Sequence, residues 1–161
     1  LIADYIGDGQ VLAWPGGIHR NIGDGPGNLK RDTVTSPAVG ANWTHTLRDP
    51  SLSKIHAVQA TLTTSATAAT REAILLFQFA GTNEVMRLIP ASTQPASLAV
   101  RYSWGFGMVS GISNLGTNQT QPLSPQRLRG GSIISSSTDN IQVTDQWSGI
   151  SILAEYWASL L

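Results

Sequence analysis

From Leu98 to Val109 the chain alternates without a break, with Leu98, Val100, Tyr102, Trp104, Phe106 and Met108 on one side and Ala99, Arg101, Ser103, Gly105, Gly107 and Val109 on the other. Successive side chains of a strand point to opposite faces, so an apolar period of two predicts a half-buried strand. This places Tyr102, Trp104 and Phe106 in a core. The opposite face is nearly bare at Gly105 and Gly107, which lets a second backbone or subunit approach closely.

No apolar stripe at helical spacing competes with this reading. Short β-branched and apolar runs bounded by turn residues predict further strands near Ile55 to Thr63, Glu72 to Phe79, Glu84 to Ile89, Gly131 to Ser135, Asn140 to Val143 and Ile150 to Trp157. Ala80 to Asn83 has the length and residue types of a hairpin loop. Strands of this kind on a turn-rich background predict an all-β, two-sheet antiparallel sandwich, specifically a jelly roll.

The opening of the chain is different. Gly7, Gly9, Gly16, Gly17, Gly23, Gly25 and Gly27, with Pro15, Pro26, Pro37 and Pro50, interrupt every regular element. Residues 1–50 therefore read as an extended Gly/Pro-rich arm and residues 51–161 as the sandwich. The arm carries Tyr5, Ile6, Val11, Leu12, Trp14, Ile18 and Trp43, apolar side chains that need somewhere to be buried. Ile6-Gly7-Asp8-Gly9 and Ile22-Gly23-Asp24-Gly25 read as two similar turns. The first residue is Leu1 and not Met, so residues are expected to precede it in the gene product.

With 161 residues the chain is one domain in size, large enough to bury about 70% of its unfolded surface. It contains no cysteine, so neither a disulfide nor a thiolate metal site stabilises it. Ten basic residues balance ten acidic ones, and charged residues make up only 12% of the chain. Such neutrality argues against nucleic acid, which demands a basic stripe, and against an anionic membrane surface. The apolar stretches Ala73 to Phe79 and Ile150 to Leu161 are too short or too interrupted to cross a bilayer as helices.

Residue patterns that carry chemistry are weak throughout. His19, His45 and His56 are widely spaced for metal ligation. Asp4 and Asp8 begin like a calcium loop, but Ile6 and Pro15 stand where oxygen ligands belong. Gly107 to Gly111 has the wrong spacing for a nucleophile elbow. The carboxylates Glu72, Glu84, Asp145 and Glu155 show no pairing that glycoside hydrolysis would use. No catalytic residue, cofactor or metal is expected, and the chain is not read as an enzyme. Arg127 and Arg129, two apart, are expected on one side of a strand, either meeting a neighbour's carboxylates or guarding a solvated edge.

Pro37 to Thr44, Ala60 to Ala66 with Arg71, Tyr102-Ser103-Trp104, Ile134 to Ser148 and Ile152 to Trp157 together resemble a group of small structural proteins encoded by tailed bacteriophages and prophages. The resemblance covers residues 37 to 157, and its specificity lies in order and spacing. Thr144 departs from it, standing where such proteins often carry Gly before the Asp of the last loop. It implies a virion protein with a jelly-roll body, a trimeric cement or decoration protein that stabilises the shell by binding a major capsid protein or another virion component. The implied location is the virion, assembled in the bacterial cytoplasm. Scarce charge and an apolar arm agree with large permanent interfaces. The residues expected to make them are Tyr5, Leu12, Trp14, Ile18, Trp43, Arg101, Gly105, Gly107, Arg127 and Arg129. The alternative is a host-recognition module of a tail or fibre, binding glycan through Trp14, Trp43 or Trp147.

Overall fold

A computed structural model describes residues 4–5, 12–13, 27–49, 51–80, 83–113 and 116–158. Its strands are β1 (Asp4–Tyr5), β2 (Leu12–Ala13), β3 (Asn28–Thr33), β4 (Thr44–Thr46), β5 (Ser51–Thr63), β6 (Glu72–Gln78), β7 (Glu84–Leu88), β8 (Ala99–Gly105), β9 (Gly111–Ser113), β10 (Asn118–Pro122), β11 (Gln126–Arg129), β12 (Ile133–Asp139) and β13 (Gln146–Ala158). Among the described residues there is no helix.

β1 and β2 pair with each other, and the other strands form two sheets. One has seven strands, ordered β3-β13-β5-β8-β10-β9 with β11 also on β5; the other has four, ordered β4-β12-β6-β7. In the two rows β3 corresponds to β4, β13 to β12, β5 to β6 and β8 to β7, so elements joined by one connection fall at matching positions in opposite sheets. That order is a jelly roll, two Greek keys wrapped into a sandwich. The return from β8 to β12 is long and carries β9, β10 and β11. β10 runs parallel to β8, a departure from the otherwise antiparallel pairing.

The core lies between the sheets. Val58, Ala60 and Leu62 of β5, Val100, Tyr102 and Trp104 of β8, and Ile150, Ile152 and Ala154 of β13 meet Ala73, Leu75 and Phe77 of β6. Tyr102 stacks on Trp104 at 5.6 Å between ring centroids and tilts against Trp147 at 5.9 Å. Aromatic pairs at this spacing add to the large apolar area they remove from water. Two register shifts break the long β13/β5 ladder, which accommodates 13-residue strands in a twisted sheet.

Several sequence expectations need correction. Tyr102 and Trp104 are buried as expected, but Phe106 is 66% exposed because β8 ends at Gly105 and the chain turns at Phe106-Gly107. Met108 leaves the core face for the same reason. Gly107 has a φ of +74°, a conformation that favours glycine, and nothing lies within 4 Å of where its Cβ would be. Its role is the turn and not a close approach. Gly105 is covered by this chain itself, since an added Cβ would meet the Met108 Sδ at 2.9 Å.

The sandwich begins well before residue 51. β3 and β4 join both sheets, and Trp43 and Leu47 lie in the core. Their Gly- and Pro-interrupted surroundings hid them, because an edge strand needs only one partner and a short run. Asn140 to Val143 is a turn with Asn140 at φ +56°, and the strand expected to end at Ser135 continues to Asp139.

Candidate functional site

At one end of the sandwich the connections β3–β4, β5–β6, β7–β8 and β12–β13 converge on a buried ion pair. Arg71 Nε donates to Asp145 Oδ2 at 2.8 Å and Arg71 Nη2 to Oδ1 at 3.0 Å. The backbone N–H groups of Ser65 and Gln142 also donate to this carboxylate, each at 2.8 Å. Burial by itself would raise the Asp145 pKa, but the Arg71 guanidinium and these amides hold it down at about 2. Beside it Gln94 exchanges backbone bonds with Arg71 and accepts from the Tyr102 hydroxyl at 3.0 Å. With its oxygens engaged by fixed donors, Asp145 is a structural brace and not an acid or base waiting for substrate.

At the sandwich edge, β3 and β4 part around a cleft of about 520 Å³ lined by Asn28, Lys30, Asp32, His45, Arg48 and Tyr156 among others. Asp32 is its centre, with Lys30 Nζ at 2.8 Å, His45 Nε2 at 3.8 Å and a hydrogen bond from the Tyr156 hydroxyl. Burial acts to raise the Asp32 pKa, yet donation from Lys30 and Tyr156 carries it below the ordinary value. Burial lowers the His45 pKa and, together with its bond to Asp32, raises that of Tyr156. The groups satisfy one another, and the network holds two diverging edges together.

A third cluster fixes the point where the chain enters the sandwich. Glu155 Oε1 accepts from Gly27 N at 2.7 Å, and its Oε2 lies 3.2 Å from His56 Nε2. The Gly27 bond, with the His56 ring, keeps the Glu155 pKa low against the effect of burial. A Cβ at Gly27 would stand 2.6 Å from Glu155 Cγ and 2.8 Å from the Trp157 ring, so only glycine passes here.

The expected interface residues divide. Arg101, Arg127 and Arg129 are exposed on the outer face of the seven-stranded sheet, and Arg127 lies over the Trp157 ring at 5.9 Å from its centroid. Trp43 is buried in the core, so it is not a surface anchor, and Trp147 is buried as well. Tyr5 and Leu12 fall in β1 and β2, but their side chains, with Trp14 and Ile18, lie outside the described residues. The carboxylates do not gather: Glu84 pairs with Arg87 at 3.0 Å, Glu155 and Asp145 are engaged as above, and Glu72 stands opposite Asp139 across β6 and β12. Among the described residues no group of His, Asp and Glu is arranged to hold a metal ion.

Sequence reasoning missed the most exposed apolar segment, 106–112. There Phe106, Met108, Val109 and Ile112 face solvent, Val109 with 78% of its surface. The alternation assigned Phe106 and Met108 to the core face and Val109 to the opposite one, and Gly105-Phe106-Gly107 was the signal that the strand stops. Searches against family models, curated proteins and solved structures give no match to the chain.

Proposed function

We propose that this chain is a structural protein of a tailed-bacteriophage virion, of the cement or decoration type, that binds copies of itself and a major capsid protein or other virion component. The observation that carries the reading is segment 106–112, where Phe106, Met108, Val109 and Ile112 are exposed within seven residues. Contiguous exposed apolar surface on a folded body marks a contact with another macromolecule. The resemblance over residues 37 to 157 supplies the kind of particle. The jelly roll alone does not, because viral shells, lectins and cupins share it.

Its mechanism is linkage. A protein that binds only the assembled lattice stabilises that lattice, and repetition over a symmetric shell adds avidity. The glycan-binding alternative needs an aromatic platform; of its candidates Trp43 and Trp147 are committed to the core, and Trp14 lies outside the described residues.

The test is co-sedimentation of the chain with phage particles lacking it, followed by electron microscopy. Wild-type protein is expected on the shell, and a Phe106→Ser, Val109→Ser variant is expected in the supernatant. Equal attachment of a folded variant would overturn the assignment of segment 106–112, and absence from the particle would overturn the virion reading.

A further inference from the structure

Whole-chain neutrality conceals a separation of charge. On the seven-stranded sheet, Arg31 of β3, Lys54 of β5, Arg101 of β8 and Arg127 and Arg129 of β11 point away from the core, with Glu155 the one acid on that face among the described residues. The registers align Leu29, Glu155, Lys54 and Arg127 in a row across four strands, and Arg129 follows two residues along β11. Arg101 extends the basic field toward the other end of the sheet, roughly 20 Å from Lys54 along β5 at about 3.3 Å per residue.

The four-stranded sheet is the opposite. Its outer face carries Glu72 and Glu84 at the ends of β6 and β7 and Asp139 at the end of β12, against Arg87 alone among the described residues. Arg87 is bound by Glu84 and also feels Asp139 and Glu72. Glu72 and Asp139 sit directly opposite each other in the ladder, Asp139 exposed and Glu72 half-buried. Leu76 and Ile133, both half-buried, lie between these charges on the same face, and Ile74 beneath them is buried.

We propose that these two outer faces are mutual docking surfaces, so that copies of the chain associate head to tail, the basic seven-stranded face of one against the acidic four-stranded face of the next. This inference rests on the self-association in the proposed function. A second copy is the favoured occupant because a single body carries both complementary faces. A polyanion would explain the basic face and leave the acidic one without a role. Unlike surfaces in contact make a heterologous interface, and because these two face away from each other on one body, repetition of the contact extends as an open stack. Complementary fields also set register and suppress like-face contacts.

The experiment reverses charge one face at a time in the full chain. Arg31→Glu with Arg129→Glu makes the seven-stranded face acidic, and Glu72→Lys with Asp139→Lys makes the four-stranded face basic. Circular dichroism melts establish that each variant is folded, and sedimentation equilibrium reads assembly. Each double variant is expected to raise the dissociation constant by about tenfold or more, as like charges then meet across the contact. The fourfold variant restores complementarity with inverted sign and is expected to recover wild-type association, and high salt is expected to weaken all attractive cases. A folded double variant with wild-type association, a fourfold variant without recovery, or a wild type that stays a single chain at high concentration overturns the inference. So does wild-type binding to mixed-sequence DNA that the Arg31→Glu, Arg129→Glu variant loses while its self-association is unchanged. Particle attachment, read separately by co-sedimentation, distinguishes failure of this contact from failure of the virion reading.

Discussion

The guanidinium of Arg71 and the carboxylate of Asp145, 74 residues apart in the chain, meet as a bidentate ion pair with no solvent exposure of either side chain. Removing one partner strands the other as a buried charge, which costs about 3–5 kcal/mol. Asp145→Ala and Arg71→Ala are therefore expected to lose much of the domain's stability in urea titrations. Arg71→Lys is expected to recover little, because an ammonium cannot reproduce the two parallel bonds.

The same pair sets an acid limit. Asp145 has a folded pKa of about 2, below its ordinary 3.8. A depressed carboxylate contributes stability that is complete above the unfolded value and is lost as pH falls from near 4 toward 2. Melting temperature measured across that window is expected to fall in the wild type. It is expected to fall less steeply in Asp145→Asn, which starts lower and has no carboxylate there to protonate.

Trp104 and Phe106 separate core from surface within one run of alternating residues. Trp104→Ala is expected to cost about 3–5 kcal/mol through lost burial and the cavity left behind. Phe106→Ala is expected to change stability by about 0.5 kcal/mol or less, as an exposed site does. Thermal denaturation of the two variants side by side checks the position of the turn; equal losses would return Phe106 to the core.

Gly27 and Glu155 make a contact in which the backbone is irreplaceable. Gly27→Ala places a methyl group against Glu155 Cγ and the Trp157 ring, so the entry to β3 must shift and its bond to Glu155 is lost. Overpacking of this kind costs about 1–3 kcal/mol. A chemical-denaturation midpoint equal to that of wild type would show that the chain can enter β3 by another path.

The two glycines beside Phe106 are expected to respond differently. Gly107→Val forces a branched side chain to a φ of +74°, a strain of about 1–2 kcal/mol or more, although the space around it is open. Gly105→Ala meets the Met108 side chain first, whose thioether end can swing away, and is expected to cost less. Melting temperatures in the reverse order would mean that Met108 is held in place over Gly105.

Local pattern carried the sequence reading a long way, and its limits were physical. Alternation in Ile55 to Thr63 and Leu98 to Trp104 determined strands with one buried face, because the pleat makes that periodicity compulsory for a half-buried strand. The sandwich followed from several such strands needing a shared core. The polar strands β3 and β10 left no such trace, and β11 left only the spacing of Arg127 and Arg129, since each joins an existing sheet and owes its place to a partner's unpaired backbone groups. The end of β8 was decided by a turn that interrupts a pattern still apolar in sequence. Arg71 meets Asp145, and Gly27 meets Glu155, only once distant segments are brought together, and no local rule encodes a partner 74 or 128 residues away. Charge behaves likewise: the sequence by itself determined that acids and bases are equal in number, but only the fold decided that Arg31, Lys54, Arg101, Arg127 and Arg129 share the outer face of one sheet and Glu72, Glu84 and Asp139 that of the other, because a face is a property of the assembled sheet and not of the order of residues.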